Sequence, residues 1–159
     1  MISAPPSKRD IVTATDLQLT DSRTVRVLLV DDEESVRTAT ARLLRGLGYD
    51  VREALNAVDA LRALDSAQGK IQTVVTDMVM PHMSGSDLAH EIFMRYPECA
   101  VVMVSGYMRG GTLDDELRER AVFVEKPFTL ESLTTGIREA QRKRKHVGVS
   151  ASEPTAGSA

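Results

Sequence analysis

Thr73-Val74-Val75-Thr76-Asp77-Met78-Val79-Met80-Pro81 is the stretch that decides how this chain of 159 residues folds. Its first half is an apolar, β-branched run of strand type. It ends abruptly on a carboxylate and then turns at a proline. An acid at the tip of a buried strand costs free energy unless something uses its charge.

On either side of this stretch, strand and helix patterns alternate. Val25-Arg26-Val27-Leu28-Leu29-Val30 reads as a first strand. Val36, Thr40, Leu43, Leu44 and Leu47 then recur on one helical face, and Gly48 supplies a stop. Val51-Arg52-Glu53-Ala54 is a weaker second strand. Asn56 with Asp59 three residues on is a helix start, followed by the stripe Ala60, Leu61 and Leu64. Beyond the opening stretch, Leu88, Ala89, Ile92 and Phe93 mark a third helix. Ala100-Val101-Val102-Met103-Val104-Ser105 is a fourth strand. A glycine-rich loop, Gly106-Tyr107-Met108-Arg109-Gly110-Gly111, leads to a short charged helix opened by Thr112-x-x-Asp115, with Leu113, Leu117 and Ala121 inward. Ala121-Val122-Phe123-Val124 is the fifth strand. Thr129 caps a last helix carrying Leu130, Leu133 and Ile137 on one side.

Strict alternation of this kind predicts an α/β domain with a parallel sheet. Nearly continuous apolar strands fit a sheet covered on both faces. Right-handed crossovers bring the C-terminal ends of all strands to one edge, where open α/β sheets bind ligands.

Composition sets the outer limits. An apolar share of 42% and a charged share of 27% are those of an ordinary globule. One domain is expected, over 25–145, with a flexible leader at 1–24 and a disordered tail at 146–159. The net charge of -3 gives no overall attraction to nucleic acid or to an anionic membrane, so neither is expected as a partner. No apolar run approaches the ~18 residues of a membrane span, and the N-terminus lacks a signal-type apolar segment. The single cysteine, Cys99, excludes an internal disulfide and fits a cytoplasmic protein; it reads as an inert, half-buried thiol. His82, His90 and His146 show no metal spacing. Arg142-Lys143-Arg144-Lys145 reads as a cationic end to the last helix, complementing its dipole.

The alternation gives the polar residues a common address. Asp31 and Asp32 follow the first strand, Asp77 ends the third, Ser105 ends the fourth, and Lys126 lies just past the fifth. Taken singly, each has a plain structural reading as a helix start, a turn or a surface group. Together on one edge they form a set. Two carboxylates ~4 Å apart repel by on the order of 4 kcal/mol at an effective dielectric near 20. A hard divalent cation offsets that repulsion, and Mg2+ favours one or two carboxylates, waters and a phosphate oxygen. A carboxylate can attack phosphorus to form an acyl phosphate, and such transfer depends on positioning and charge stabilisation. Asp77 as nucleophile, a metal at Asp31 and Asp32, Lys126 as cation and Ser105 as hydroxyl donor meet those needs.

Four segments also carry a family resemblance. Leu28-Leu29-Val30-Asp31-Asp32-Glu33, Val75-Thr76-Asp77-Met78-Val79-Met80-Pro81-x-Met83-x-Gly85, Val104-Ser105-Gly106 and Glu125-Lys126-Pro127-Phe128 resemble, in order, the receiver domain of two-component response regulators. The resemblance runs from about Arg26 to Lys143. It implies a flavodoxin-like (βα)5 fold, a doubly wound parallel sheet with strand order 2-1-3-4-5. It implies that Asp77 takes a phosphoryl group from a histidine of a partner. That partner would be a sensor histidine kinase, hybrid kinases included, or a histidine phosphotransfer protein. Asp31, Asp32, Asp77 and the backbone carbonyl of Val79 would surround Mg2+, directly or through water. Lys126 and the Ser105 hydroxyl would hold phosphoryl oxygens, and Lys126-Pro127 would be a cis peptide.

The same resemblance implies a switch. Ser105 is drawn toward the phosphoryl group, and an aromatic three residues before the lysine, here Phe123, turns inward. The family often has tyrosine at that position. Val79 and Tyr107 modulate the access of water to the phosphoryl group, and a bulky Tyr107 implies slow self-hydrolysis. Val104-Ser105-Gly106-Tyr107 is similar to receivers fused to or paired with hybrid kinases, which points to a phosphorelay. Only a short tail follows the last helix, so the expectation is a single-domain regulator that acts through protein contacts. Its own chemistry would be limited to self-catalysed phosphotransfer and slow autodephosphorylation. A receiver-like docking module that is never phosphorylated is the alternative. A phosphohydrolase of the haloacid dehalogenase type would need a second acid two residues after Asp77, where Val79 stands.

Overall fold

The computed structural model describes residues 24–106 and 113–149. Ten elements alternate along the chain: β1 (Arg26–Val30), α1 (Glu34–Gly46), β2 (Asp50–Ala54), α2 (Ala57–Ala67), β3 (Thr73–Asp77), α3 (Gly85–Arg95), β4 (Ala100–Ser105), α4 (Asp115–Arg120), β5 (Ala121–Glu125) and α5 (Leu130–Val149). The strands form one parallel sheet in the order β2-β1-β3-β4-β5. This is the flavodoxin-like order expected from the sequence. The order reverses between β1 and β3, so the crevice of the sheet opens where these two strands end.

The apolar strands are explained by the two cores they feed. Successive residues of a strand point to opposite faces. Leu28 and Val30, with Val74, Val101 and Met103, pack under α2, α3 and α4 through Ala60, Leu64, Leu88, Ile92, Phe93 and Leu117. Val27 and Leu29, with Val75, Val102, Val104, Val122 and Val124, pack under α1 and α5 through Ala41, Leu44, Leu133, Ile137 and Ala140. β4 is buried along its whole length, which suits a strand with a neighbour on each side and helices on both faces.

Local signals place the helix starts. The Asn56 side chain accepts from Asp59 N at 2.9 Å. Ser84 and Asp87 form a reciprocal capping box at α3. Thr129 and Ser132 cap the start of α5 in the same reciprocal manner. At α1, Gly48 takes a left-handed φ of 91° just past the helix.

The structure departs from the sequence reading in several places. The buried seam of α1 is Thr40, Ala41 and Leu44, while Leu43 and Leu47 are each 54% exposed. Leu43 lies about 100° around the helix from Leu44, which turns it off the seam, and Leu47 sits in the non-helical cap. α4 is capped by Asp114, whose side chain accepts from Leu117 N, rather than opened at Thr112. α5 runs to Val149, beyond the expected boundary at 145. The basic run therefore lies within the helix. Lys143 Nζ donates to the carbonyls of Arg118 (3.4 Å) and Ala121 (3.0 Å), and Arg144 donates to the carbonyl of Glu98 (2.8 Å). Cys99 is 6% exposed, and burial pushes its thiol up to about 12, which makes it inert. Among the described residues no helix is long and apolar enough to cross a membrane. Tyr107, Gly110, Gly111, Thr112, the leader before Thr24 and the tail from 150 onward lie outside the described residues.

Candidate functional site

β1 delivers Asp31 to the crevice. Its backbone N–H still donates to the Ala54 carbonyl of β2 (3.3 Å), and its Oδ1 accepts from Glu33 N (2.9 Å). Arg37, on the first turns of α1, donates to the Asp31 carbonyl at 2.8 Å and pairs with Glu53 at 3.5 Å. Asp31 is only 8% exposed, whereas the adjacent Asp32 is exposed. β3 delivers Asp77 beside them. Carboxylate oxygens of Asp31, Asp32 and Asp77 all lie within 4.8 Å of one another.

The third and fourth strands are in register at this end, Asp77 beside Val104, and the fourth and fifth pair Ser105 with Glu125. Ser105 is 4% exposed. Lys126 N donates to the Ser105 carbonyl (2.8 Å), and the Lys126-Pro127 bond is cis. The Lys126 ammonium reaches back across the edge, and its Nζ donates to Asp77 Oδ2 at 2.6 Å. The other oxygen, Asp77 Oδ1, accepts from Val79 N at 3.1 Å. Both Asp77 oxygens are thereby held.

The charges act on one another. Burial pushes the Asp31 carboxyl above the usual carboxylate range, and the Asp77 and Asp32 charges add to that. The Glu33 N–H and the Lys126 charge oppose it without cancelling it. Burial works against the Lys126 ammonium, but its hydrogen bond to Asp77 and the charges of Asp77, Asp31 and Glu33 outweigh that and hold it above its ordinary value. This cluster is a hard, oxygen-only donor set with excess negative charge. It fits a small divalent cation on chemistry alone.

Of the residues singled out in the sequence, Asp31, Asp32, Asp77, Ser105 and Lys126 meet at this edge. Val79 stands beside them, 80% exposed. Phe123 does not join the cluster. It sits on β5 opposite Met103, partly buried against the core under α4. Two supporting residues were not assigned roles from sequence. Arg37 carries no motif signal. Gly85 was visible only as part of the Pro81-x-Met83-x-Gly85 spacing. Its N–H donates to the Met78 carbonyl (3.0 Å), and a Cβ there would collide with the Asp77 carbonyl oxygen and lie 2.9 Å from Met78 Cα. The start of α3 therefore rests directly on the backbone that presents Asp77.

Comparison with known proteins agrees with this fold. The response regulator receiver domain family matches residues 27–138. The chain belongs to that family. Sensor kinase CckA of Brucella abortus is 35% identical over 138 residues, which is 86% of this chain and 14% of that protein. The two-component response regulator-like protein APRR7 of Arabidopsis thaliana is 33% identical over 114 residues, 70% of this chain and 16% of that protein. The chain thus spans a small part of the length of these curated relatives. Among solved structures, the receiver domain from the hybrid histidine kinase CckA aligns with a TM-score of 0.61 at 30% identity. That alignment covers 73% of this chain and 98% of the other. The response regulator TrrA of Thermotoga maritima, in complex with Mg(2+)-BeF, aligns with a TM-score of 0.65 at 26% identity over 74% of this chain and 99% of the other. The family is that of the receiver domains of two-component systems.

Proposed function

We propose that Asp77 is a phosphoacceptor, charged by a phosphohistidine of a sensor kinase, hybrid or not, or of a histidine phosphotransfer protein. An Asp77 oxygen attacks phosphorus, the P–N bond breaks, and the electron pair returns to the imidazole of the partner. The product is an acyl phosphate on Asp77. Lys126 holds and orients the Asp77 carboxylate before transfer, then pairs with a phosphoryl oxygen. Asp31, Asp32, Asp77 and the Val79 carbonyl would hold Mg2+, which when bound neutralises charge on the transferring phosphoryl group. The Ser105 hydroxyl donates to a phosphoryl oxygen.

Phosphorylation adds ~1.5–2 negative charges at the strand end. Movement of Ser105 toward that charge, followed by Phe123, carries the signal to the face built by α4, β5 and α5. Val79 and Tyr107 set how quickly water reaches the phosphoryl group, and output passes through protein contacts made in the cytoplasm.

The observation that carries this reading is the convergence of three carboxylates within 4.8 Å, one of them held at 2.6 Å by a lysine. The test is labelling with radioactive acetyl phosphate in the presence of Mg2+. Wild type takes up label and Asp77→Asn does not. Undiminished labelling of Asp77→Asn overturns the assignment. Absence of label on wild type from acetyl phosphate and from a panel of kinases favours the docking-module alternative.

A further inference from the structure

Among the described residues β5 is the last strand of the sheet and pairs only with β4. In a parallel ladder, alternate residues of an edge strand turn their N–H and C=O toward the neighbour and the rest turn them outward. Lys126 N donates to the Ser105 carbonyl, so Val122, Val124 and Lys126 face β4. Ala121, Phe123 and Glu125 therefore present backbone groups to the open side. The Ala121 carbonyl is already taken by Lys143 Nζ at 3.0 Å. That lysine closes the upstream end of the edge and, among the described residues, leaves Phe123 and Glu125 as the open positions.

Beside this edge, β5 and α5 enclose a groove of about 620 Å³. Its apolar walls are Val122, Phe123, Val124 and Pro127, and Glu125, Glu131 and Glu139 are its charged lining residues. All three glutamates are exposed, and among the described residues no lysine or arginine lines the groove. Glu131 and Glu139 are eight residues apart on α5, two turns along one face and ~12 Å. An unpaired strand edge beside an apolar groove with acids at both ends fits one kind of occupant.

We propose that this edge takes an extended segment of a partner protein, added as a sixth strand beside Phe123 and Glu125. Its alternate side chains would be lysine or arginine, with apolar residues between them. Main-chain hydrogen bonds supply affinity in strand addition, and alternate side chains supply specificity. Cationic side chains turned to the α5 face answer Glu131 and Glu139, and their attraction to the acidic edge favours rapid encounter. The place of this contact in signalling rests on the proposed output face, but the docking itself does not need Asp77 to be phosphorylated.

The experiment titrates the full chain, at low salt, with a capped six-residue peptide alternating lysine and valine, and follows backbone amides by NMR. The expected perturbation centres on Phe123, Glu125 and the facing turns of α5. Methylation of alternate peptide nitrogens, which removes strand donors, abolishes it. The triple variant Glu125→Gln, Glu131→Gln, Glu139→Gln weakens binding at least ~10-fold, and a thermal melt verifies that this surface variant is folded. Asp77→Asn binds the peptide as wild type does, so failure of the phosphoacceptor reading and failure of this one are distinguishable. The proposal is overturned if the peptide produces no shift at β5. It is equally overturned if binding survives nitrogen methylation, or if the triple variant binds as tightly as wild type.

Discussion

Asp31 is pulled in two directions: its N–H and carbonyl are fixed by Ala54 and Arg37, while its carboxylate is crowded by two others. The position of Asp31 and its neighbours could be read from the sequence because each follows the end of an apolar strand. Arg37 could not be read, because its role depends on a long side chain reaching a backbone carbonyl. Burial first, and the two neighbouring charges after it, make ionisation of Asp31 costly. The carboxyl of Asp31 is raised in the folded protein, so the unfolded chain favours the ionised form more than the folded chain does. The stability involved is present below the ordinary carboxylate range, ~3.9, and is lost as pH rises through the higher folded value. Asp31→Asn keeps an oxygen for Glu33 N and cannot ionise. In EDTA, thermal melts from about pH 4 to pH 7 should show the variant gaining on wild type as pH rises, by ~1 kcal/mol or about 4 °C at the neutral end. Added Mg2+ should stabilise wild type and leave the variant unchanged. A variant less stable than wild type at neutral pH in EDTA would mean that the Glu33 hydrogen bond outweighs the repulsion.

At the scale of elements, burial and capping account for what the sequence foretold and what it did not. Helices α2 and α5 were legible because their caps and stripes agree, and α3 was legible from its stripe alone. The face of α1 was misjudged because leucine spacing alone does not say which of two adjacent leucines turns to the sheet. The basic run was legible as charge but not as a set of donors to Arg118, Ala121 and Glu98, since those partners are brought close only by the fold. Gly85 is the joint between β3 and α3. Alanine is ordinarily better than glycine in a helix by ~1 kcal/mol, so a purely local argument expects Gly85→Ala to stabilise. The close approach of α3 to the Asp77 carbonyl reverses that expectation. Overpacking of this kind costs typically ~1–3 kcal/mol. Gly85→Ala should lower the urea midpoint and, by shifting the backbone under Asp77, slow labelling by acetyl phosphate. A higher midpoint with normal labelling would show that α3 can retreat without disturbing the strand.

For the whole molecule, alternation of strands and helices foretells a parallel sheet but not which strand lies at its centre. Strand order depends on crossover partners distant in sequence, and here it followed from the family resemblance rather than from any local pattern. That order is what gathers the crevice residues, because β1 and β3 are neighbours although more than forty residues separate Asp31 from Asp77. A ligand bound there bridges β1, β3 and the end of β5, and so should stabilise the sheet as a unit. Ligand at ~100 times its dissociation constant adds ~2.7 kcal/mol to a folded state that alone binds it. For a domain of this size that is a rise in Tm of roughly 10 °C. Beryllofluoride mimics a phosphoryl group on a carboxylate, so Mg2+ with beryllofluoride should raise the Tm well beyond Mg2+ alone. Asp77→Asn should keep no more than the Mg2+ effect. Amide exchange should slow at the ends of β1, β3 and β4 and, if Ser105 and Phe123 relay the change, along β5 as well. Protection that stops at the crevice would leave the phosphoacceptor standing and sever it from the α4-β5-α5 face. An identical Tm with and without beryllofluoride would remove the phosphoacceptor itself.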